Sequence, residues 1–205
     1  MGLRLLILGW WTPKFIIRKE LEYISEKTTI ALKALISKYA IKGVEVSNQN
    51  QPHPTNIQQQ RAAMAQTQAR LVETLVTTIG HEEAIKLGRK ALFLVGQDIG
   101  KQSRSKLGVS DNPKDLTKAA KILYRILGIE FHLEWLDNSN ARAIIDRCAL
   151  AEQYSKLTCE VLSATDEGVM KGLQPSVTMK FKEYMTSGCQ KCRADIRLVK
   201  KETIK

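Results

Sequence analysis

Apolar residues recur every three or four positions through most of the first 128 residues, and every second position in two later stretches. Over 13–42, Ile16, Ile17, Leu21, Ile24, Ile30, Leu32, Leu35, Ile36 and Tyr39 keep near-helical spacing and predict a long amphipathic helix. Thr12 is its expected N-cap and Pro13 its first helical residue. The polar stretch SNQNQPHPTNIQQQ, residues 47–60, carries two prolines and reads as a loop, either an exposed connection or a flap over a site. His53 within it reads as a solvated loop histidine. Helical spacing resumes over 58–79, where Ala62, Ala65 and Ala69 make a small-residue stripe suited to close packing. Residues 82–107 form the next helix, with His81 at its start and Gly88, Gly96 and Gly100 inside. A glycine costs about 1 kcal/mol in a helix interior, so three of them predict a close helix crossing, or else room for a ligand. A further helix opens at Pro113, capped by Asp111 or Asn112, and stops at Gly128.

The period then changes to two. IEFHLEWL places Ile129, Phe131, Leu133 and Trp135 on one face, with Glu130, His132 and Glu134 on the other and solvated. DNSN turns the chain and ARAIIDR returns as the second strand of a hairpin. Two short helices are expected next, around 149–157 and 160–172. A second hairpin pairs VTMKFKEYM, with Val177, Met179 and Phe181 inward, with CRADIRLV, with Cys192, Ala194, Ile196 and Leu198 inward. The predicted class is α+β: a helical first half, then an antiparallel sheet of two hairpins with two short helices between them. The expected organisation is one domain, with 1–46 as a strand or helix extension, 47–60 as a loop and 61–205 as the core.

Composition narrows the function. A hydrophobic fraction of 43% in 205 residues supports a full core. The net charge of +11 suits nucleic acid, anionic lipid or an anionic substrate. The cations are spread along the chain without an arginine stripe interleaved with aromatics, so nucleic-acid binding is not expected. The start, MGLRLLILGWW, is too short to span a bilayer and lacks the marks of a secretory signal. It reads as a buried strand or helix start, partly exposed for dimer contact. Trp10, Trp11 and Trp135 read as core or interface residues. The cysteines Cys148, Cys159, Cys189 and Cys192 do not read as a disulfide framework, and a cytoplasmic homodimer is the expected setting.

The stretch RCALAEQYSKLTCEVLSATDEGVMKGLQPSVTMKFKEYMTSGCQKCRADI, residues 147–196, carries a recognisable pattern. Cys148 closes a strand, Cys159 follows, then come Asp166, Glu167 and the run Gly172-Leu173-Gln174-Pro175, and last a hairpin with Gly188 and Cys192. This resembles the L-2-amino-thiazoline-4-carboxylic acid hydrolase family, itself similar to the four-vinyl-reductase-type small-molecule-binding domain. Zinc-binding relatives carry a further cysteine and a carboxylate before the hairpin glycine. Here Glu183, Tyr184 and Met185 precede it, and Cys189 follows.

The resemblance implies a small-molecule ligand or substrate, and hydrolysis of a small cyclic C–N/C–S compound at a cysteine-centred site. Cys148, just before a helix, and Cys159, at the start of the next, are expected to have thiol pKa values lowered by helix N-termini and by Arg147. Either would attack the carbon between sulfur and nitrogen, with Asp166 and Glu167 as acid and base. Arg142 or Arg147 would pair with a substrate carboxylate. The alternative is a non-catalytic binding or sensor domain in which Cys148, Cys159, Cys189 and Cys192 hold a zinc ion. A third reading leaves the cysteines as core residues of a scaffold or dimer-forming protein.

Overall fold

The computed structural model describes residues 3–40 and 54–198. The expected loop up to residue 53, His53 included, lies outside the described residues, while the first long helix ends at Tyr39 with Ala40 extended, short of the expected residue 42. Among the described residues six α-helices and four strands follow in the order α1 (Leu3–Trp10), α2 (Lys14–Tyr39), α3 (Ile57–Ile79), α4 (His81–Leu107), α5 (Pro113–Leu127), β1 (Ile129–Trp135), β2 (Asn140–Cys148), α6 (Lys156–Leu173), β3 (Val177–Glu183) and β4 (Cys192–Leu198). This is the expected α+β class.

Period-matched burial explains why these elements form. In α2 the buried positions Ile17, Leu21, Ile24, Thr28, Leu32 and Ile36 fall on one stripe. Pro13 precedes the helix, and Thr12 is not its cap: the Thr12 hydroxyl donates back to the Leu8 carbonyl at 3.0 Å and so closes α1. Asn112 caps α5, accepting from the Lys114 amide at 2.9 Å. Gly128 ends α5 at φ 74°, with its missing side chain facing the Arg61 guanidinium. Arg61 donates to the carbonyls of Ile126 (2.8 Å) and Arg125 (2.7 Å), satisfying acceptors that the helix end leaves open.

The strands form one antiparallel sheet in the order β1-β2-β4-β3. Its inner face carries Ala141, Ala143, Ile145, Cys192, Ala194 and Ile196, all buried against the helices. Its outer face is charged. His132 meets Asp146 at 2.6 Å, Lys191 meets Asp146 at 2.6 Å, and Arg142 meets Asp195 at 3.3 Å. His132 and Glu134 are exposed there, as the alternation predicts.

Two features depart from expectation. The two short helices are a 3-10 turn at Ala151–Gln153 and a single 18-residue α6. The reason is Ser155, whose hydroxyl accepts from the Thr158 amide at 3.1 Å and starts α6 ahead of Cys159, so that the thiol sits inside the first turns. Of the two places expected for the tryptophans, core or interface, the core is excluded: Trp10, Trp11 and Trp135 are all exposed.

The tightest packing in the molecule joins α4 to α6. Gly96 and Gly100 of α4 face Gly168 and Gly172 of α6, backbone on backbone. Arg89 locks one end, donating to the Glu160 carbonyl, to Ser163 Oγ at 3.1 Å and to Glu167 at 2.7 Å. Arg104 locks the other, donating to the Leu173 carbonyl at 2.6 Å and to Asp111 at 2.7 Å. Close packing is therefore what the α4 glycines serve.

Candidate functional site

Once α4 is pressed against one side of α6, the opposite side of α6 is left to line a cavity. Cys159, Leu162, Ser163 and Asp166 fall at helical spacing and form that wall. Tyr124 of α5 and Ile145 and Cys148 of β2 also line the cavity. So do Phe181 of β3 and Cys192 of β4. The far wall comes from α2 and α3, through Thr28 and Gln68, and from Tyr154 after the 3-10 turn. The space open to the centre of a water-sized sphere is about 90 Å³. One water needs roughly 10–15 Å³ on that measure, so the cavity has room for several waters or a small organic molecule.

The wall is mostly apolar, and its few polar groups divide into two kinds. One kind is satisfied. Tyr154 donates to Gln68, Gln68 donates to the Thr28 hydroxyl at 2.8 Å, and Thr28 donates to the Ile24 carbonyl at 2.9 Å. Ser163 and Tyr184 share a hydrogen bond at 3.2 Å. The other kind is open. Neither the Asp166 carboxyl nor the Tyr124 hydroxyl makes a hydrogen bond or ion pair among the described residues. Thr165, the next residue on the wall, buries its hydroxyl without a partner. Asp166 and Thr165 also line a second, smaller cavity of about 40 Å³ between α5 and α6.

Burial sets the electrostatics. It pushes the Asp166 carboxyl up to about 7, and the neighbouring Glu167 charge adds to the rise. Burial also pushes Cys148 up to about 11 and Cys159 up to about 12. The Leu150 and Ala151 amides do favour the Cys148 thiolate, but desolvation outweighs them. Helix N-termini therefore do not lower these thiols as expected. Cys148 precedes only a three-residue 3-10 turn, and Cys159 lies inside α6 against apolar walls. Cys192 is also raised by burial, while its sulfur accepts from the Met185 amide at 3.2 Å. In native protein at pH 7.5, Cys148 is expected to react with a neutral disulfide reagent roughly a hundredfold, and Cys159 roughly a thousandfold, more slowly than an ordinary exposed thiol, because the thiolate fraction falls tenfold per unit of pKa. A rate for either cysteine equal to that of the unfolded chain would contradict this.

The remaining site candidates lie elsewhere. Glu167 is adjacent to Asp166 but turned away, held by Arg89 at 2.7 Å and accepting from the Phe181 amide at 3.3 Å. Arg142 pairs with Asp195, and Arg147 pairs with Glu130 at 3.6 Å. Neither arginine lines the cavity. Cys189 lies in the turn before β4, away from the cavity that Cys148, Cys159 and Cys192 share. Among the described residues no group of three or more His, Cys, Asp or Glu side chains is placed to hold a metal ion, so these positions do not fit a four-thiolate zinc.

The polar wall residues that the sequence alone does not single out are Thr28, Gln68, Tyr124, Tyr154, Ser163 and Thr165. A signal for two of them was present: Thr28 and Gln68 interrupt otherwise apolar helical stripes. A polar residue on a buried stripe needs a partner, and here the two are each other's.

The fold resembles that of a trafficking protein particle complex subunit 3 from Naegleria fowleri covalently bound to palmitic acid, with a TM-score of 0.51 at 16% identity, covering 68% of this chain and 95% of that one. The phenol-responsive sensory domain of the transcription activator PoxR aligns with a TM-score of 0.49 at 17% identity, over 82% of this chain and 89% of that one. An H-NOX protein from S. oneidensis aligns with a TM-score of 0.44 at 13% identity, over 90% of this chain and 98% of that one. No curated protein matches the sequence. The family model for L-2-amino-thiazoline-4-carboxylic acid hydrolase matches residues 58–195, which takes in α3 through β4 and every cavity element except α2. Well over half of the chain carries that match, and the chain belongs to the L-2-amino-thiazoline-4-carboxylic acid hydrolase family.

Proposed function

We propose that the cavity binds a small, mainly apolar molecule that presents a cationic or hydrogen-bond-donating nitrogen to Asp166, and that the protein hydrolyses a cyclic C–N/C–S compound of the 2-aminothiazoline type there. The observation that carries this reading is a carboxyl without a partner on the wall of a mostly apolar cavity, held high by desolvation. An amidine-like nitrogen would satisfy it with a charge-assisted hydrogen bond. Family membership supports the reaction type.

Asp166 is better suited than the thiols to start the chemistry. A carboxyl near 7 is divided between base and acid at neutral pH, where general acid–base catalysis works best. Ionised, it takes a proton from water as the water oxygen bonds to the carbon between sulfur and nitrogen. The C–S bond then breaks and the same carboxyl returns a proton to the leaving sulfur. One water is consumed: its oxygen becomes the new carbonyl, and its hydrogens end on the ring nitrogen and the sulfur. Cys148, Cys159 and Cys192 contribute polarizable wall contacts to a sulfur heterocycle. Among the described residues no lysine or arginine lines the cavity, so a ring carboxylate would be directed toward the opening.

The test uses 2-aminothiazoline and 2-aminothiazoline-4-carboxylate as probes, with thermal stabilisation for binding and release of free thiol for turnover. Binding of 2-aminothiazoline is expected to strengthen as pH rises through 7 and to be lost in Asp166→Asn. Turnover is expected to fall at least about a hundredfold in Asp166→Asn and to survive in Cys148→Ser and Cys159→Ser. Turnover that persists in Asp166→Asn and vanishes in either serine variant would move the reaction to a thiol. No stabilisation by either probe would remove this substrate class.

A further inference from the structure

The sequence from Leu3 to Lys19 contains Arg4, Lys14, Arg18 and Lys19 and no acidic residue. It folds as α1 and the first turns of α2, and its two sides differ sharply. Leu5, Thr12 and Ile17 are buried against the body. Arg125 of α5 fixes α1 from below, donating to the Leu8 carbonyl at 3.2 Å and the Gly9 carbonyl at 3.1 Å. The outer side is apolar and, among the described residues, uncovered. Trp10 is 91% exposed, Phe15 71% and Trp11 63%, with Leu6 and Ile7 beside them on the helix. These five are half of the ten large hydrophobic residues exposed on the described surface. All four cations of the segment are exposed as well.

We infer that this face docks on the surface of an anionic lipid bilayer. A short helix and the first turns of the next, held on the body with tryptophan and phenylalanine outward among lysine and arginine, have the composition of an interfacial element. Tryptophan places its ring at headgroup depth while its indole N–H stays hydrated. The four cations supply attraction to anionic headgroups within the same short segment, and the net charge of +11 adds to it. A second copy of the chain fits this face less well. A two-fold contact would set the segment's cations against one another with no carboxylate of the same segment to compensate. No helix among the described residues is long and apolar enough to cross a membrane, so the attachment is to the surface.

The experiment is flotation of the full chain with vesicles of phosphatidylcholine containing about a third phosphatidylserine, against phosphatidylcholine alone, with tryptophan emission read in parallel. The expected result is binding to the anionic vesicles with a blue shift, at least tenfold weaker binding to the neutral ones, and weakening by salt. Two double variants test the two halves of the face: Trp10→Ser with Phe15→Ser, and Lys14→Glu with Lys19→Glu. Each is expected to lose tenfold or more in binding while keeping the thermal midpoint, since all four side chains are exposed. Failure of the wild-type chain to float overturns the inference. So does flotation unchanged in both variants, or a wild-type dimer in sedimentation that the Trp10→Ser, Phe15→Ser variant splits without any effect of lipid.

Discussion

Gly96→Ala is expected to destabilise the protein by about 3 kcal/mol or more, and to do so more than any conservative substitution on the molecule's surface. A Cβ at Gly96 would stand 2.0 Å from the Thr165 carbonyl oxygen and 2.8 Å from its carbon. Both are backbone atoms of α6, so no rotamer change relieves the clash. The helices have to separate, and separation breaks more than one contact. Gly100 meets the Val169 carbonyl oxygen at 2.3 Å, Gly168 meets that of Phe93 at 2.1 Å, and Gly172 meets that of Gln97 at 2.2 Å, all measured to a virtual Cβ. Pushing α6 outward would also shift Thr165 and Asp166 into the cavity, so binding should weaken together with stability. Gly9→Ala is the control. Nothing lies within 4 Å of a Cβ there, and the residue is helical, so alanine is expected to be neutral or to stabilise by up to about 1 kcal/mol. Urea midpoints of the two variants decide the matter. Equal midpoints would mean that the two helices can part at little cost.

Asp166→Asn should do the opposite and stabilise the protein above neutral pH. The folded-state carboxyl is raised to about 7 from an ordinary 3.8, with burial as the main cause and the Glu167 charge as the second. Between those values the folded state holds a proton that the unfolded chain has released. The stability that this protonated form contributes is complete below about 4 and is lost as pH climbs through 7. At pH 8 the wild type carries a desolvated, unpartnered carboxylate on the cavity wall, and the neutral amide avoids that penalty. The gain is expected to be on the order of a few kcal/mol at pH 8 and to vanish near pH 4. Denaturation of both proteins across pH 4–8 measures it directly. Parallel curves would show that Asp166 titrates normally and would take away the ground for placing a ligand nitrogen against it. A stabilised but inactive Asp166→Asn would show the cost of keeping this acid in an apolar enclosure.

Much of this architecture is legible in the order of residues. Helical spacing through Ile17, Leu21, Ile24 and Leu32 marks α2, and the buried stripe follows it. Alternation through Cys192, Ala194 and Ile196 puts the Cys192 thiol on the inner face, where it is found. The α4 glycines announce a close crossing, and one exists. The expected break between two helices near Cys159 does not occur, because a serine cap at Ser155 starts α6 at Lys156. The Cys148 and Cys159 thiols are raised instead of lowered: proximity to a helix start is visible in sequence, whereas the desolvation that overrides it depends on which walls close around the sulfur. Arg142 and Arg147 show the same limit, since each has an acidic neighbour across the sheet that only strand register supplies.

Local order therefore determined the elements, the class, the inner faces of the strands and the family pattern from Cys148 to Cys192. Periodicity can do this because it reports which side of an element is apolar. It does not report what that side will meet. That Asp166 turns into a cavity while Glu167 turns to Arg89 was settled only when α4 and α6 locked glycine to glycine and fixed the rotation of α6 against the sheet. Two adjacent carboxylates, alike in sequence, were separated by about 100° of helix into one paired and one unpaired acid.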